Sequence, residues 1–224
     1  MWRSRLPTRS RTLPRMFSPP PLRQLLLTRT DNRPNRPFAG GLAAFITIHQ
    51  TGNPRPSADA HAHARWMARE APYSWHATID DREVWQSLDW GEQGWHAGDG
   101  AGGSGNTTSI GLEICMHEGI DEAAADLNAA WLTARLRLDG HGYEGIVQHN
   151  HWTGKDCPAL IRAEPGRWER FLEQVARFEE SETRTRLKHR LTLLEERVSA
   201  LESALAAVAV EPLPEPNSLS EREA

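Results

Sequence analysis

Short apolar runs alternate with segments of helical periodicity through the middle of the chain. Apolar residues at every second position predict a strand, whereas apolar residues three and four positions apart predict an amphipathic helix. We therefore expect strands at 43–49, 110–116 and 146–147, a hairpin over 76–88, and helices at 58–70 and 121–139. Strands interleaved with helices are typical of an α/β fold in which helices flank a mixed central sheet.

The C-terminal part of the chain carries a different apolar repeat. Its members are spaced alternately by four and three positions: Leu187, Leu191, Leu194, Val198, Leu201, Leu205 and Val208. This spacing predicts the a/d seam of a coiled-coil-like helix. Charged residues occupy the flanking e and g positions: Lys188, Arg190, Glu195, Arg197 and Glu202. Because both flanks are charged, we favour a homo-oligomer formed through residues 187–208 over a terminal helix packed back on the domain.

The chain of 224 residues is long enough for one domain with a proper core and additional terminal segments. Residues 1–36 contain nine Arg and one acidic residue, which predicts a basic disordered arm over 1–23. We expect the folded domain at 24–177, the coiled-coil helix at 178–210, and a disordered tail at 211–224. Attraction of the arm to an anionic polymer is the alternative to a merely solvated segment.

Overall composition excludes some classes of partner. The net charge of −4 indicates neither nucleic acid nor an anionic membrane surface as a partner. Apolar runs stay well below the ~20 residues that a membrane-spanning helix needs. The short cluster 25–27 does not make a secretory signal peptide. We therefore expect synthesis in the cytoplasm and no membrane span.

Metal-binding chemistry is concentrated in one segment, 149–158. It contains His149, the rival imidazole His151, and Cys157 eight positions after His149. His49 ends the first predicted strand and supplies a further imidazole. Two His and one Cys form a three-ligand zinc set with one position open, which is typical of a catalytic site.

The same segments carry a family resemblance. Five blocks occur in the order typical of the family, at 45–49, 74–81, 94–99, 106–115 and 154–158. Together they resemble the zinc-dependent N-acetylmuramoyl-L-alanine amidases of the type-2 family, over residues 24–175. The resemblance implies the mixed-sheet fold and a zinc-dependent hydrolysis of the amide between N-acetylmuramic acid and L-alanine in bacterial peptidoglycan. The protein would act on the cell wall after release, as a phage endolysin or bacterial autolysin. A non-catalytic peptidoglycan-binding module is the alternative.

The resemblance also implies roles for individual residues. The zinc ligands would be His49, His149 and Cys157, with Cys115 near the site but not on the metal. Glu113 alternates away from the apolar face of its strand, and it would act as the proton shuttle. Lys155 would stabilise the oxyanion of the tetrahedral intermediate.

One position departs from part of the family. Some members carry a Tyr that assists catalysis where this chain has Trp75, and the indole is neither an acid nor a base. We therefore assign proton transfer to Glu113 and expect Trp75 to pack. For substrate contact we expect Trp95, His96 and Asn106, which surround the glycine-rich stretch 97–108. This stretch is predicted to be a loop.

Overall fold

A computed structural model describes residues 17–208. Its six strands are β1 (Leu22–Gln24), β2 (Phe45–Gln50), β3 (Ala77–Ile79), β4 (Val84–Gln86), β5 (Ser109–Ile114) and β6 (Gly145–Gln148). They form one sheet in the order β1-β4-β3-β5-β2-β6. Only the β3–β4 pair is antiparallel, and the other neighbouring strands run parallel. The predicted mixed sheet is therefore confirmed.

The described helices are α1 (Ala60–Arg69), α2 (Ser104–Thr108), α3 (Glu122–Leu138), α4 (Asn150–Thr153), α5 (Ala159–Ala163) and α6 (Arg167–Val208). Side chains of Asp59 and Asp121 cap the first turns of α1 and α3 by accepting from backbone amides. No described helix has an apolar stretch of the length needed to cross a membrane.

Strand alternation separates the core from the functional face of the sheet. Ile46 and Ile48 of β2 lie in the main apolar cluster together with the alternate residues of β5. Successive side chains on a strand point to opposite faces, so Thr47 and His49 lie on the other face. The core face is covered by α3 and by the first turns of α6, which contribute Ala129 and Phe171.

Two short elements differ from the sequence-based expectation. β1 pairs with β4 and includes Leu22 and Arg23, so ordered structure begins inside the predicted 1–23 arm. The end of the predicted glycine-rich loop forms α2. The remainder of the arm up to residue 16, and the predicted tail 211–224, lie outside the described residues.

The chain divides into two units, Met1–Ser181 and Glu182–Ala224. The described part of the second unit is the helical segment 182–208, where the apolar repeat lies. Its helical conformation agrees with the predicted repeat. Association of this segment with another helix stays a prediction.

Candidate metal centre and active-site cleft

Three buried metal-ligating side chains converge at the carboxyl ends of two parallel strands. His49 lies at the end of β2, His149 follows β6, and Cys157 comes from the loop after α4. Their donor atoms all lie within 4.8 Å of one another. Nδ1 of His49 is 3.0 Å from Nδ1 of His149 and 4.0 Å from Sγ of Cys157. Ligands of tetrahedral zinc are separated by roughly 3.3–3.6 Å, given the usual Zn–N and Zn–S bond lengths.

Hydrogen bonds orient the imidazole rings of His49 and His149 so that their Nδ1 atoms face the centre of the donor group. Nε2 of His149 lies 2.8 Å from the carbonyl oxygen of Ala97, and a carbonyl only accepts. Nε2 of His96 similarly lies 2.9 Å from the carbonyl oxygen of Ser109. Nδ1 of the neutral His96 ring must therefore accept from Nε2 of His49, at 3.0 Å.

The protonation states of these two rings indicate whether the donor group fits a metal ion. The two Nδ1 atoms of His49 and His149 are both unprotonated acceptors, yet they face each other at 3.0 Å. Two lone pairs at this distance repel unless a cation lies near both of them. The Cys157 sulfur completes a borderline-soft donor set, and it also accepts from the Gln50 amide at 3.5 Å. The donor set therefore fits a zinc ion.

Burial governs the acid–base behaviour of the ligands. It lowers the pKa of His49 well below its usual value, with His96 and His149 adding to the effect. Burial raises the pKa of the Cys157 thiol to about 11. Neutral imidazoles are therefore present at neutral pH, whereas the thiol needs a cation nearby to lose its proton.

The rival metal ligands lie elsewhere. His151 is exposed, and its ring packs against Trp152 with the ring centres 4.6 Å apart. Cys115 is buried, with its sulfur 3.9 Å from Nδ1 of His63. Neither residue belongs to the group of converging donors.

The pairing register places Glu113 beside the donor cluster. Residues His49 and Glu113 are direct partners across the parallel β2–β5 pair, so their side chains share the functional face. Oε1 of Glu113 lies 3.7 Å from Nδ1 of His49, and Oε2 is buried without a hydrogen-bond partner. Burial raises the pKa of the Glu113 carboxyl to about 8, and Lys155 opposes this rise.

A cleft of about 850 Å³ runs over this group of residues. Glu113, His149 and Lys155 line it, and Lys155 is exposed to solvent. Trp95 lines the cleft as well, and its indole nitrogen is buried without a hydrogen-bond partner. His96 lines the cleft too, so the structure brings together the predicted ligands, the predicted catalytic residues and two of the three predicted substrate contacts.

Two of the predicted substrate contacts, Asn106 and His96, have their polar atoms occupied by the protein. Oδ1 of Asn106 accepts from the amides of His96 and Ala97 at 2.7 and 2.8 Å. Its amide group donates to the Gly100 carbonyl at 2.9 Å. Asn106 therefore holds the loop that carries His96, and both ring nitrogens of His96 are engaged as described above.

His96 also depends on a glycine in the sheet. A Cβ atom added at Gly111 would lie 2.6 Å from Cγ of His96, closer than real Cβ contacts come. The absence of a side chain on β5 therefore makes room for the ring that supports His49.

One wall of the cleft is aromatic, and the sequence did not predict it as part of the site. Trp66, Tyr73 and Trp75 line the cleft, with Trp66 and Tyr73 36% and 45% exposed. The rings of Trp66 and Tyr73 meet edge to face at 5.6 Å. Trp75 is buried as expected, and its indole donates to Thr78. The sequence does show aromatic residues in and after the predicted helix 58–70. Aromatic residues in such a place are equally consistent with a buried core, so their exposure in a cleft could not be predicted.

Comparison with known proteins identifies relatives of the whole domain. The profile of the Amidase_2 family, N-acetylmuramoyl-L-alanine amidase, matches residues 40–160, more than half of the chain. The N-acetylmuramoyl-L-alanine amidase XlyA of Bacillus subtilis is 45% identical over 129 residues, which are 57% of this chain and 43% of XlyA. CwlH, another N-acetylmuramoyl-L-alanine amidase of Bacillus subtilis, is 40% identical over 148 residues, 65% of this chain and 57% of CwlH. This chain thus spans about half the length of the curated relatives it matches.

Solved structures agree with the sequence comparison. The catalytic domain of XlyA matches with a TM-score of 0.63 at 38% identity, covering 69% of this chain and 99% of that domain. PlyL matches with a TM-score of 0.59 at 30% identity, covering 69% of this chain and 96% of PlyL. The resemblance predicted from the sequence blocks is confirmed, and the chain belongs to the Amidase_2 family of N-acetylmuramoyl-L-alanine amidases.

Proposed function

We propose that this chain hydrolyses the amide between N-acetylmuramic acid and L-alanine in bacterial peptidoglycan, as an endolysin or autolysin, with zinc as its metal. The observation that carries the proposal is the convergence of His49, His149 and Cys157 beside Glu113, in the cleft of a chain that belongs to this family. Three protein ligands leave one position of a tetrahedral zinc ion open for chemistry.

Zinc, when bound by these three residues, would supply Lewis acidity that polarises a carbonyl and lowers the pKa of a water toward neutrality. The protein's own contribution begins with Glu113. A cation held by the three ligands beside Glu113 would favour the charged carboxylate over the protonated form that burial favours. The unpartnered Oε2 of that carboxylate could then take a proton from the attacking water and deliver it to the leaving nitrogen. Such proton transfer typically contributes a factor of ~10²–10⁴ in rate.

Lys155 is the proposed stabiliser of the oxygen that becomes negatively charged when the amide carbonyl is attacked. Its ammonium group is exposed in the cleft that Glu113 also lines. Loss of a donor of this kind typically reduces the rate by about 10²–10³.

Substrate orientation is assigned to the cleft walls. Trp95 remains the proposed substrate contact, and we add Trp66 and Tyr73 because their rings are exposed in the cleft. Aromatic rings offer flat apolar area to sugars and peptides at a low cost in conformational entropy. For His96 and Asn106 we propose positioning roles in place of direct substrate contact.

The proposal is tested by incubating the purified full chain with defined muropeptides and determining the product masses. We expect a peptide with a free N-terminal L-alanine and a saccharide that keeps its lactyl group. A chelator should abolish cleavage, and added zinc should restore it. Binding of muropeptides without cleavage under all conditions would instead support the non-catalytic module.

The two cysteines provide a matched pair of variants for the metal assignment. Cys157→Ser should lose both zinc content and hydrolysis. Cys115→Ser removes the other buried thiol, which lies outside the donor group, and should keep both. Equal zinc content in the two variants would contradict the proposed ligand set.

A further inference from the structure

The second unit of the chain exposes an apolar stripe along one side of α6. The stripe consists of side chains that are between 52% and 72% exposed: Leu187, Leu191, Leu194, Val198, Leu201 and Leu205. Exposed apolar surface of this extent and continuity marks an interaction site more often than scattered single residues do.

We propose that this stripe, residues 187–205, binds the same stripe of a second copy of the chain in a parallel, in-register, two-stranded coiled coil. The spacing assigns Leu187, Leu194 and Leu201 to d positions. Leu191, Val198 and Leu205 then occupy a positions. Leucine at every d position, with a β-branched residue at one a position, favours two strands.

The flanking charges select a second copy as the partner and fix its direction. Basic residues Arg190 and Arg197 occupy g positions, and acidic residues Glu195 and Glu202 occupy e positions. In a parallel coil each g residue lies beside the following e residue of the other helix. Arg190 would meet Glu195 of the second copy, and Arg197 would meet Glu202 of the second copy.

The antiparallel alternative brings like charges together. In that arrangement g positions face g positions and e positions face e positions. With Leu187 opposite Leu205, Arg197 would face Arg197 of the second copy, and Glu195 would face Glu195 of the second copy. Lys188 would still meet Glu202, but Arg190 would face the uncharged Ala204.

The seam positions of the preceding heptad are charged: Glu180 at d lies seven residues before Leu187, and Arg184 at a lies seven residues before Leu191. The apolar stripe therefore begins within the second unit, after the last apolar side chain that α6 contributes to the catalytic core, Phe178.

A dimer of this kind would carry two copies of the amidase domain. Peptidoglycan is a polymer with many equivalent sites, so binding of one copy raises the effective concentration of the other. This consequence rests on the proposed function, whereas the dimer itself does not.

The test is the mass of the full chain in solution, measured by analytical ultracentrifugation over a range of concentrations. We expect the weight-average mass to double with rising concentration. Leu194→Lys places a charge in the stripe and should keep the chain monomeric. Leu193→Lys changes a neighbouring leucine, 45% exposed and outside the stripe, and should dimerise like the unmodified chain.

Several results would overturn the proposal. They are a monomer at all concentrations, a limiting mass of three or more chains, or equal behaviour of the Leu193→Lys and Leu194→Lys variants. Hydrolysis of small soluble muropeptides should be the same for all three proteins. A separate failure of hydrolysis would therefore affect only the proposed function.

Orientation is tested by mild oxidation of a Leu187→Cys variant. A parallel, in-register coil predicts disulfide-linked dimers of this variant alone, since equivalent d residues face each other. The unmodified chain is the control, because both native cysteines are buried. Cross-linking only after mixing with a Leu205→Cys variant would instead show an antiparallel pair and contradict the proposal.

Discussion

Nε2 of His49 lies 3.0 Å from Nδ1 of His96, on the opposite side of the His49 ring from the converging donor atoms. The His96 ring is held in turn by the Ser109 carbonyl. This chain of hydrogen bonds keeps the Nδ1 lone pair of His49 directed at the donor atoms of His149 and Cys157. We therefore propose that His96 acts through His49 and not by touching the substrate.

Replacing His96 should weaken metal binding. Loss of a partner that orients a ligand typically reduces metal affinity by about 10–100-fold. We expect this loss for His96→Ala, measured as zinc affinity by competition with a chromogenic chelator. His96→Asn retains an acceptor for Nε2 of His49 and should recover part of the affinity. Equal affinities of His96→Ala and the unmodified chain would contradict the positioning role.

Glu113→Gln should reduce kcat by about 10²-fold or more, because an amide cannot shuttle the proton. Zinc content should stay unchanged, since Glu113 is not one of the three donors. Steady-state kinetics with a soluble muropeptide measure kcat, and metal analysis measures the zinc content. Glu118→Gln, an exposed glutamate nearby in sequence, is the control and should have normal kcat. A Glu113→Gln enzyme within a few fold of normal activity would remove Glu113 from proton transfer.

Tyr73→Ala should raise KM more than it lowers kcat, because the ring lies in the cleft wall and contributes binding area. Tyr143→Ala removes a tyrosine that is 65% exposed and does not line the cleft. Its kinetic constants should be normal. Steady-state kinetics of both variants check the prediction, and an unchanged KM for Tyr73→Ala would exclude this wall from substrate binding.

Gly111→Ala should destabilise the domain by about 1–3 kcal/mol, the usual cost of overpacking. The added methyl group would collide with the His96 ring, so zinc affinity should fall as well. Gly102→Ala is the matched control, because a Cβ at that position meets no atom within 4 Å. Denaturant unfolding compares the two variants, and similar free energies of unfolding would contradict the packing argument.

Stability should decrease as the pH falls below about 6.5, in part through His76. Burial lowers the pKa of His76 to about 3, and His96 adds to this effect. In the fold, Nδ1 accepts from the Gly111 amide and Nε2 donates to the Glu92 carbonyl, so only the neutral ring fits. The unfolded chain binds the proton near pH 6.5. Below that pH, protonation therefore favours unfolding.

For one group, this contribution has a maximum slope of about 1.4 kcal/mol per pH unit. It is measured as the difference in the free energy of unfolding between the unmodified chain and His76→Gln, from pH 7.5 down to pH 4.5. The glutamine variant should show a shallower loss of stability. Parallel pH profiles would show that His76 does not contribute.

The sequence predicted the elements that carry strong periodicity and the residues that belong to specific motifs. β2, β5 and α3 agree closely with the predicted segments, because their apolar faces are buried throughout. β1 was missed because its three residues are all exposed and show no alternation. α2 was missed because glycine and small polar residues favour a loop, and the contacts made by Gly105 and Asn106 override that preference.

Among the site residues, those in specific motifs were also predictable, whereas roles that depend on tertiary contacts were not. His49, His149 and Cys157 were predicted as a group because their donor types are unusual and their order matches the family. The side-by-side placement of His49 and Glu113 depends on the register of two strands that are far apart in the chain. The hydrogen-bonding roles of His96 and Asn106 depend on three-dimensional contacts, which motif spacing does not encode.

The close approach of the His96 ring to Gly111 also restricts how this site can be redesigned. A larger residue at position 111 must displace the ring at position 96, and replacing that ring removes the support of a proposed metal ligand. We therefore expect most substitutions at either position alone to lower stability or metal affinity. Diversification of the two positions together, with selection on metal retention, is the productive route to new variants.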